Sequence, residues 1–439
     1  MKAVEEQSYE QLCRALAQSR LGEHSAYRVP ELEIQARIFA GEFGVCWQGV
    51  DGENVEIVHF GIWNREPGPD FCGAQVLIEG VKLTGDIEID QDARDWENHG
   101  HSRNNAYENV ILHLFVRRGH RRFFTRTAQN RAVTQVCLPL RNSLRASPSR
   151  QSGTLDDSRA ARLIEAAASF RLRRKCEVFQ RAARLRDRER ALFEAVSAGL
   201  GFKNNKIPFL LVAQRSGLTR ARADDGEALL FGLSGFLNAG HFDEGDHEAR
   251  AYLRRLWEQW WAMRDRERRL ILPDSAWTFS AVRPANHPHR RMGALATVAR
   301  SFGPISRSVE AGGSADFALA ISSLEHPFWQ GHASLAGDPL PKATSLIGGD
   351  RLLDLLINVF LPAQPFEAAW PQLCSTPAPT PSRKVLRSSE WLGGVARPAY
   401  LQSAMCQQGL LQLAEDFPHM SPLEVWHRFA SGWTPADIM

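Results

Sequence analysis

The 439-residue sequence has no apolar run approaching the roughly 18–20 residues that a membrane-spanning helix needs. It also has no CxxC pair. Its seven cysteines, Cys13, Cys46, Cys72, Cys137, Cys176, Cys374 and Cys406, are odd in number and scattered. That distribution argues against a disulfide framework and against a zinc ribbon, and leaves free thiols in a reducing compartment as the expectation. The opening residues, Met1 to Glu6, lack the basic-then-apolar order of a secretory signal, so export is not expected. No serine- or cysteine-nucleophile motif, P-loop or dinucleotide fingerprint occurs. No fixed-period repeat marks a solenoid. Net charge is only +3, so any basic footprint for a polyanion must be local. These absences point to a cytoplasmic protein without membrane association, and they carry no sign of oligomeric state.

What is present is ordinary globular composition, 44% hydrophobic and 23% charged, on a chain long enough for two or three domains. The spacing of apolar residues predicts helices over Tyr9 to Arg20 and Glu31 to Phe43. The period then changes. Val55 to Ile62, Phe71 to Ile78 and Leu83 to Ile89 read as strands separated by Gly- and Pro-bearing turns, which suggests a meander. A polar stretch, Asp92 to Glu108, precedes a strong strand over Asn109 to Val116. More β-like sequence follows at Phe123-Phe124 and Val133 to Leu138. The Ser/Arg-rich run Arg141 to Thr154 reads as a linker. Beyond it, Ser158 to Leu200 is one long helical pattern and shorter helical stretches follow. The expected class is α+β. A mixed-sheet domain over residues 1–140 leads through a linker at 141–157 to helical domain(s) over 158–439.

The chemistry concentrates between Glu31 and His113. Gly68-Pro69-Asp70-Phe71 enters one strand, and Gly85-Asp86-Ile87-Glu88-Ile89-Asp90 lies on the next. Residues two apart in a strand share a face, so Asp86, Glu88 and Asp90 project together while Ile87 and Ile89 enter the core. Neighbouring carboxylates repel unless a cation lies between them, and a hard divalent ion with oxygen ligands is the functional solution. A solvated strand face with a turn aspartate after Pro69 is the structural alternative. His99 and His101 follow, suited to metal ligation or acid/base work, or to capping a loop. For zinc no third soft ligand is evident. His113 and His59 read as satisfied core or rim histidines.

These residues, in the order Glu31-Leu32-Glu33-Ile34-Gln35, Gly68 to Phe71, Gly85 to Ile89, Asp95-Trp96 with His99-Gly100-His101, and Tyr107 to His113, resemble a bacterial family of unknown function. The resemblance continues through Gly201-Phe202, Glu227 to Gly232, Arg283-Pro284-Ala285-Asn286 and Ile357-Asn358. The N-terminal half is also similar, more loosely, to the PD-(D/E)XK nuclease superfamily. That similarity implies a restriction-endonuclease-like mixed sheet with flanking helices. It also implies a phosphodiesterase of nucleic acid using Mg²⁺ or Mn²⁺ held by Asp70, Glu88 and a helix carboxylate, Glu33 or Glu31. Where such nucleases carry lysine this sequence has Asp90, which cannot stabilise an attacking hydroxide or a phosphate as a cation does. His99 or His101 would then stand in as general base or phosphate contact. The alternative is a nucleic-acid-binding or assembly protein that keeps the scaffold without turnover.

For nucleic acid, the candidate phosphate contacts are Arg117, Arg118, Arg121 and Arg122 in the N-terminal domain and Arg173 and Arg174 on the long helix. A solvated Arg-rich helix is the alternative there. Trp257, Trp260 and Trp261 lie at helical spacing and are expected in the core.

Overall fold

The computed structural model describes residues 9–13, 34–35, 38, 43, 45–64, 67–117, 123–138, 154–237, 245–279, 283–393, 398–417 and 420–430, without the side chain of residue 203. The chain forms two compact units, one within Cys13–Leu144 and the other within Arg145–Trp433 together with Tyr9 and Leu12. The first carries a mixed sheet and the second is helical, so the architecture is α+β. No helix among the described residues is long and apolar enough to cross a membrane.

The sheet comprises β1 (Cys46–Gln48), β2 (Asn54–His59), β3 (Ile62–Trp63), β4 (Phe71–Ile78), β5 (Val81–Asp92), β6 (Val110–Arg117) and β7 (Thr134–Cys137), in the order β1-β2-β4-β5-β6-β7 with β3 against β4. β2, β4 and β5 form the antiparallel meander that the alternating pattern predicts. Glu79 and Gly80, both at positive φ, make the two-residue turn between β4 and β5. That geometry matches the right-handed twist of a hairpin and suits glycine at its second position. β6 and β7 then join in parallel, so β5 is antiparallel to one neighbour and parallel to the other.

The register sorts β5 into two faces. Ile87 and Ile89 pair with Leu112 and Leu114, and Leu114 with Val136, and all five are fully buried. On the other face Glu88 lies beside His113, and His113 beside Gln135, and these polar residues are buried too. The sheet is therefore covered on both sides. The polar face lies under the segment after β5, which folds as α1 (Asp95–Asn98) and two 3₁₀ turns rather than one long helix. Trp96 and Tyr107 from this cover pack with Val110 and Val133. No strand forms at Phe123-Phe124, where Phe124 is exposed.

In the helical unit the long pattern beginning near Ser158 is two helices, α2 (Asp157–Arg186) and α3 (Arg188–Leu200). Asp187 breaks it. Its backbone is at φ 87°, and its side chain accepts from the Arg190 N–H to cap α3. A cap satisfies one of the donors a helix start leaves open, and periodicity alone does not reveal it. Of the three tryptophans, Trp260 is buried, whereas Trp261 is exposed beneath the Arg264 guanidinium. Of the cysteines, Cys46 and Cys374 are exposed and Cys13 and Cys176 are buried. The expected linker at 141–157 and the helix over Glu31 to Phe43 fall mostly outside the described residues.

A buried carboxylate organises part of this unit. Glu227 Oε1 accepts from the Tyr252 hydroxyl at 2.7 Å and from His326 Nε2 at 2.9 Å, and Oε2 accepts from Arg255 at 3.2 Å. The Trp329 N–H donates to His326 Nδ1, which fixes the proton on Nε2 of the neutral ring. The Trp329 indole donates to the Tyr252 hydroxyl. Burial alone raises the Glu227 carboxyl, but the hydrogen bonds from His326 and from the Tyr252 hydroxyl, with the charge of Arg300, outweigh it and hold the group at about 2. A depressed carboxyl contributes stability above its unfolded value and loses it as pH falls. The protein is thus expected to lose roughly 3 kcal/mol from this group as pH drops from 4.5 to about 2. Denaturation midpoints across that range should show the loss in wild type and a flatter acid limb in Glu227→Gln; identical limbs would remove Glu227 from the acid response.

Candidate metal centre

Alternation along β5 puts Glu88 and Asp90 on the face shared with His113, and only 4% and 0% of these carboxylate residues are exposed. Charges removed from water require partners. Asp70 sits at the entry to β4, one residue before the Phe71–Ile87 pair, so it faces Glu88. Its N–H donates to Glu88 Oε2 at 3.1 Å, and its Oδ2 accepts from the Ile89 N–H at 2.8 Å. Gln35 Nε2 donates to Asp70 Oδ1, and the Trp63 indole in turn donates to Gln35. Asp86, one step back on the strand, accepts from the Gly73 N–H instead. Burial, followed by the charges of Asp86, Asp70 and Glu88, pushes the nearby Cys72 thiol up, which registers the negative field of the cluster.

The two histidines arrive from the cover. Gly100, at φ 76°, adopts the left-handed conformation that glycine tolerates best, and so turns the chain between α1 and the next 3₁₀ turn. His99 Nδ1 comes to 3.1 Å from Asp90 Oδ1, and His101 Nε2 to 3.2 Å from Glu88 Oε1. His101 is buried, stacked on Tyr107 with ring centroids 3.9 Å apart, while His99 is exposed. One donor atom each from Asp90, His99 and His101 lies within 4.8 Å of the other two. Asp90 Oδ1 makes no well-formed hydrogen bond despite its burial. Two imidazoles and a carboxylate whose buried Oδ1 is orphaned fit a divalent transition ion with positions left open.

The other oxygen of Asp90 is anchored. His113 Nε2 lies 3.1 Å from Asp90 Oδ2, and His113 Nδ1 lies 2.8 Å from Thr125 Oγ1, which accepts from Gln135 Nε2. In neutral His113 this chain assigns the protons: Gln135 donates to Thr125, the Thr125 hydroxyl to Nδ1, and Nε2–H to Asp90. The sequence reading takes His113 as a satisfied core residue, and it is satisfied. What that reading lacks is the partner, because the parallel pairing that sets Glu88 beside His113 joins segments more than twenty residues apart. Asp92 closes the row at the strand's end. Burial tends to raise its carboxyl, but hydrogen bonds from Arg94 hold it below the usual range.

Asp70, Glu88, Asp90, His99 and His101 therefore meet in one cluster. Glu33 lies outside the described residues, as do Arg118, Arg121 and Arg122. Arg117 ends β6, with its Nη2 3.5 Å from Gln91. In the helical unit the Arg173 guanidinium lies 3.8 Å from the Phe366 ring centroid and that of Arg174 5.6 Å from the Phe170 centroid, so both cover aromatic surface.

A family model described as "Protein of unknown function (DUF2851)" matches residues 46–370, a span that takes in the cluster, the whole sheet and much of the helical unit. No curated protein and no solved structure matches the chain.

Removing one partner of a buried charge leaves that charge uncompensated, at a cost of several kcal/mol. His113→Leu keeps the bulk and deletes the bond to Asp90, and it should destabilise the protein by about 3 kcal/mol or more. Thr125→Val removes only a neutral link and should cost about 1 kcal/mol. Urea unfolding checks the ordering; equal effects would mean that His113 does not carry the Asp90 charge.

Proposed function

For this chain, which belongs to that family of unknown function, we propose a divalent-metal-dependent hydrolase of phosphodiesters, acting on nucleic acid, with the ion held by Asp90, His99 and His101. The convergence of these three donors carries the reading. The residues named for metal from motif order, Asp70 and Glu88, stand behind them: Asp70 orients Glu88, and Glu88 Oε1 faces His101. The donor set favours Mn²⁺ or a similar transition ion over Mg²⁺, which prefers all-oxygen ligands. Such an ion supplies Lewis-acid stabilisation of charge developing at phosphorus.

The protein groups divide the remaining work. His113 holds Asp90 by one oxygen, leaving Oδ1 directed at the His99 side. Glu88, accepting from the Asp70 N–H, is the carboxylate placed to take a proton beside the ion. His99, the exposed donor, stands at the solvent side, where substrate must arrive. A phosphodiester is the bond favoured because the order of Asp70, the hairpin and Glu88 is similar to that of PD-(D/E)XK nucleases. The basic residues Arg94 and Arg117 beside the end of β5 suit a polyanion.

A binding protein without turnover is the second reading. It is favoured by Asp90 at the position where such nucleases carry lysine, and by the hydrogen bonds that both Asp70 oxygens accept from the protein itself. Labelled single- and double-stranded DNA and RNA, offered with Mn²⁺, Mg²⁺ or Zn²⁺, distinguish the two. Cutting is expected with Mn²⁺. Since substitutions behind a ligand typically cost 10–100-fold, Asp90→Asn and His99→Ala should each lower the rate by at least about 100-fold. Salt-sensitive binding with no cutting under any ion selects the second reading, and cutting indifferent to both substitutions moves the active centre elsewhere.

A further inference from the structure

A second group of donor atoms converges in the helical unit, and the proposed hydrolase does not use it. Asp246 precedes α4 (His247–Trp261) and caps it, its Oδ1 accepting from the Ala249 N–H at 2.8 Å. Glu248 lies in the first turn of the same helix. His332 follows α5 (Pro327–Gly331), only 2% exposed, with its ring stacked on Phe328. One donor atom each from Asp246, Glu248 and His332 lies within 4.8 Å of the other two.

Acidic residues at a helix start are ordinary, and by themselves signify capping. His332 adds the second observation. Its Nδ1 lies 3.1 Å from the Phe328 carbonyl oxygen. A carbonyl only accepts, so Nδ1 carries the proton. The neutral ring then presents Nε2 as a lone pair. That atom is buried, has no hydrogen-bond partner, and lies 3.5 Å from Asp246 Oδ2. A lone pair and a carboxylate oxygen this close repel unless a cation stands between them. A second proton on the ring is one such cation and a metal ion is the other. An N–H donated to a backbone carbonyl is the outer-shell arrangement that orients metal-ligating imidazoles.

The surroundings hold this arrangement in place. Arg290, fully buried, donates to the carbonyl oxygens of His332, Thr344 and Ser345 at 3.0–3.1 Å, to the Thr344 hydroxyl at 2.8 Å, and to the Trp329 carbonyl. These bonds fix the chain around His332. The positive pole of α4 opposes a cation, but Asp246 already satisfies an N–H there, and two carboxylates outweigh a partial charge.

We propose that Asp246, Glu248 and His332 form a second metal site, selective for a divalent first-row transition ion such as Zn²⁺, which ties the start of α4 to the segment after α5. One imidazole and two carboxylates leave a fourth position for water.

The test uses the full chain carrying Asp90→Asn and His99→Ala, which removes two of the three donors of the other centre. Titration with Co²⁺, followed by its visible absorption and by displacement with Zn²⁺, should give one equivalent bound and a melting temperature raised by Zn²⁺. Adding His332→Gln or Asp246→Asn should weaken Co²⁺ binding at least about 100-fold. Asparagine is as good a helix cap as aspartate, so Asp246→Asn tests the ligand even if the His332 variant does not fold. No Co²⁺ uptake by the folded double variant overturns the site, as does uptake unchanged by Asp246→Asn. Nitrogen-resolved NMR showing His332 doubly protonated at neutral pH with Zn²⁺ present would assign the cation as a proton and likewise overturn it.

Discussion

The N-terminal unit is organised by one constraint: β5 buries carboxylates at positions 88 and 90 on one face while burying isoleucines at 87 and 89 on the other. An ionised carboxylate out of water is tolerated only with partners, and the requirement propagates outward. It calls for a histidine on the neighbouring strand, which β6 supplies at 113. It calls for an N–H donor on the antiparallel side, which Asp70 supplies to Glu88 while its own carboxylate accepts from the Ile89 N–H. It calls for a cover that carries imidazoles rather than apolar side chains alone, and the segment through His99 and His101 is that cover. Trp96 lies against both His101 and His113, so the apolar packing of the cover and its polar contacts are set by the same residues.

Much of this is visible in the amino-acid order, for a physical reason. Period-two alternation fixes which side chains share a face, so Glu88 and Asp90 can be placed together from sequence alone. The Pro69-Asp70 turn before an apolar run marks the entry to the adjacent strand. The antiparallel hairpin at Glu79-Gly80 brings the two together with a loop of two residues. Parallel pairing has no such local signature, since its partners are joined through a long crossover. That is why His113, Thr125 and Gln135, the residues that hold Asp90, are not legible as a group. The third donor beside His99 and His101 is hidden for another reason: it is a carboxylate from the strand, reached by the fold of the cover back over β5, whereas the loop itself offers no third ligand.

The helical unit departs from its pattern where a side chain outcompetes periodicity. The amphipathic repeat runs through Asp187 unbroken, yet the aspartate side chain offers its own N–H acceptor and stops α2 there. Likewise the Trp257–Trp261 spacing is helical, but a helix has an outer face as well, and Trp261 lies on it. Periodicity specifies an element and its stripe; caps and the limits of the stripe are decided by atoms that a pattern does not weigh.

Within each unit, histidine tautomers decide how buried polar groups are paired. His113 accepts a hydrogen bond from a threonine hydroxyl and donates one to a carboxylate; His326 accepts from a backbone N–H and so donates to Glu227; His332 donates to a backbone carbonyl and so turns a bare lone pair toward Asp246. The first two rings end on a carboxylate as donors, which completes the pair and leaves neither ring nitrogen for a ligand. Only the third ends on a carboxylate as an acceptor. The difference lies in a single backbone contact at Nδ1, and it decides whether an imidazole beside an acid is a structural pair or an open coordination position. The same criterion applies to His99, whose Nδ1 faces Asp90 Oδ1 without a well-formed hydrogen bond. That pair is not closed as the His113 pair is, and Asp90 is thereby divided between one oxygen bound into the fold by His113 and one without a well-formed hydrogen bond.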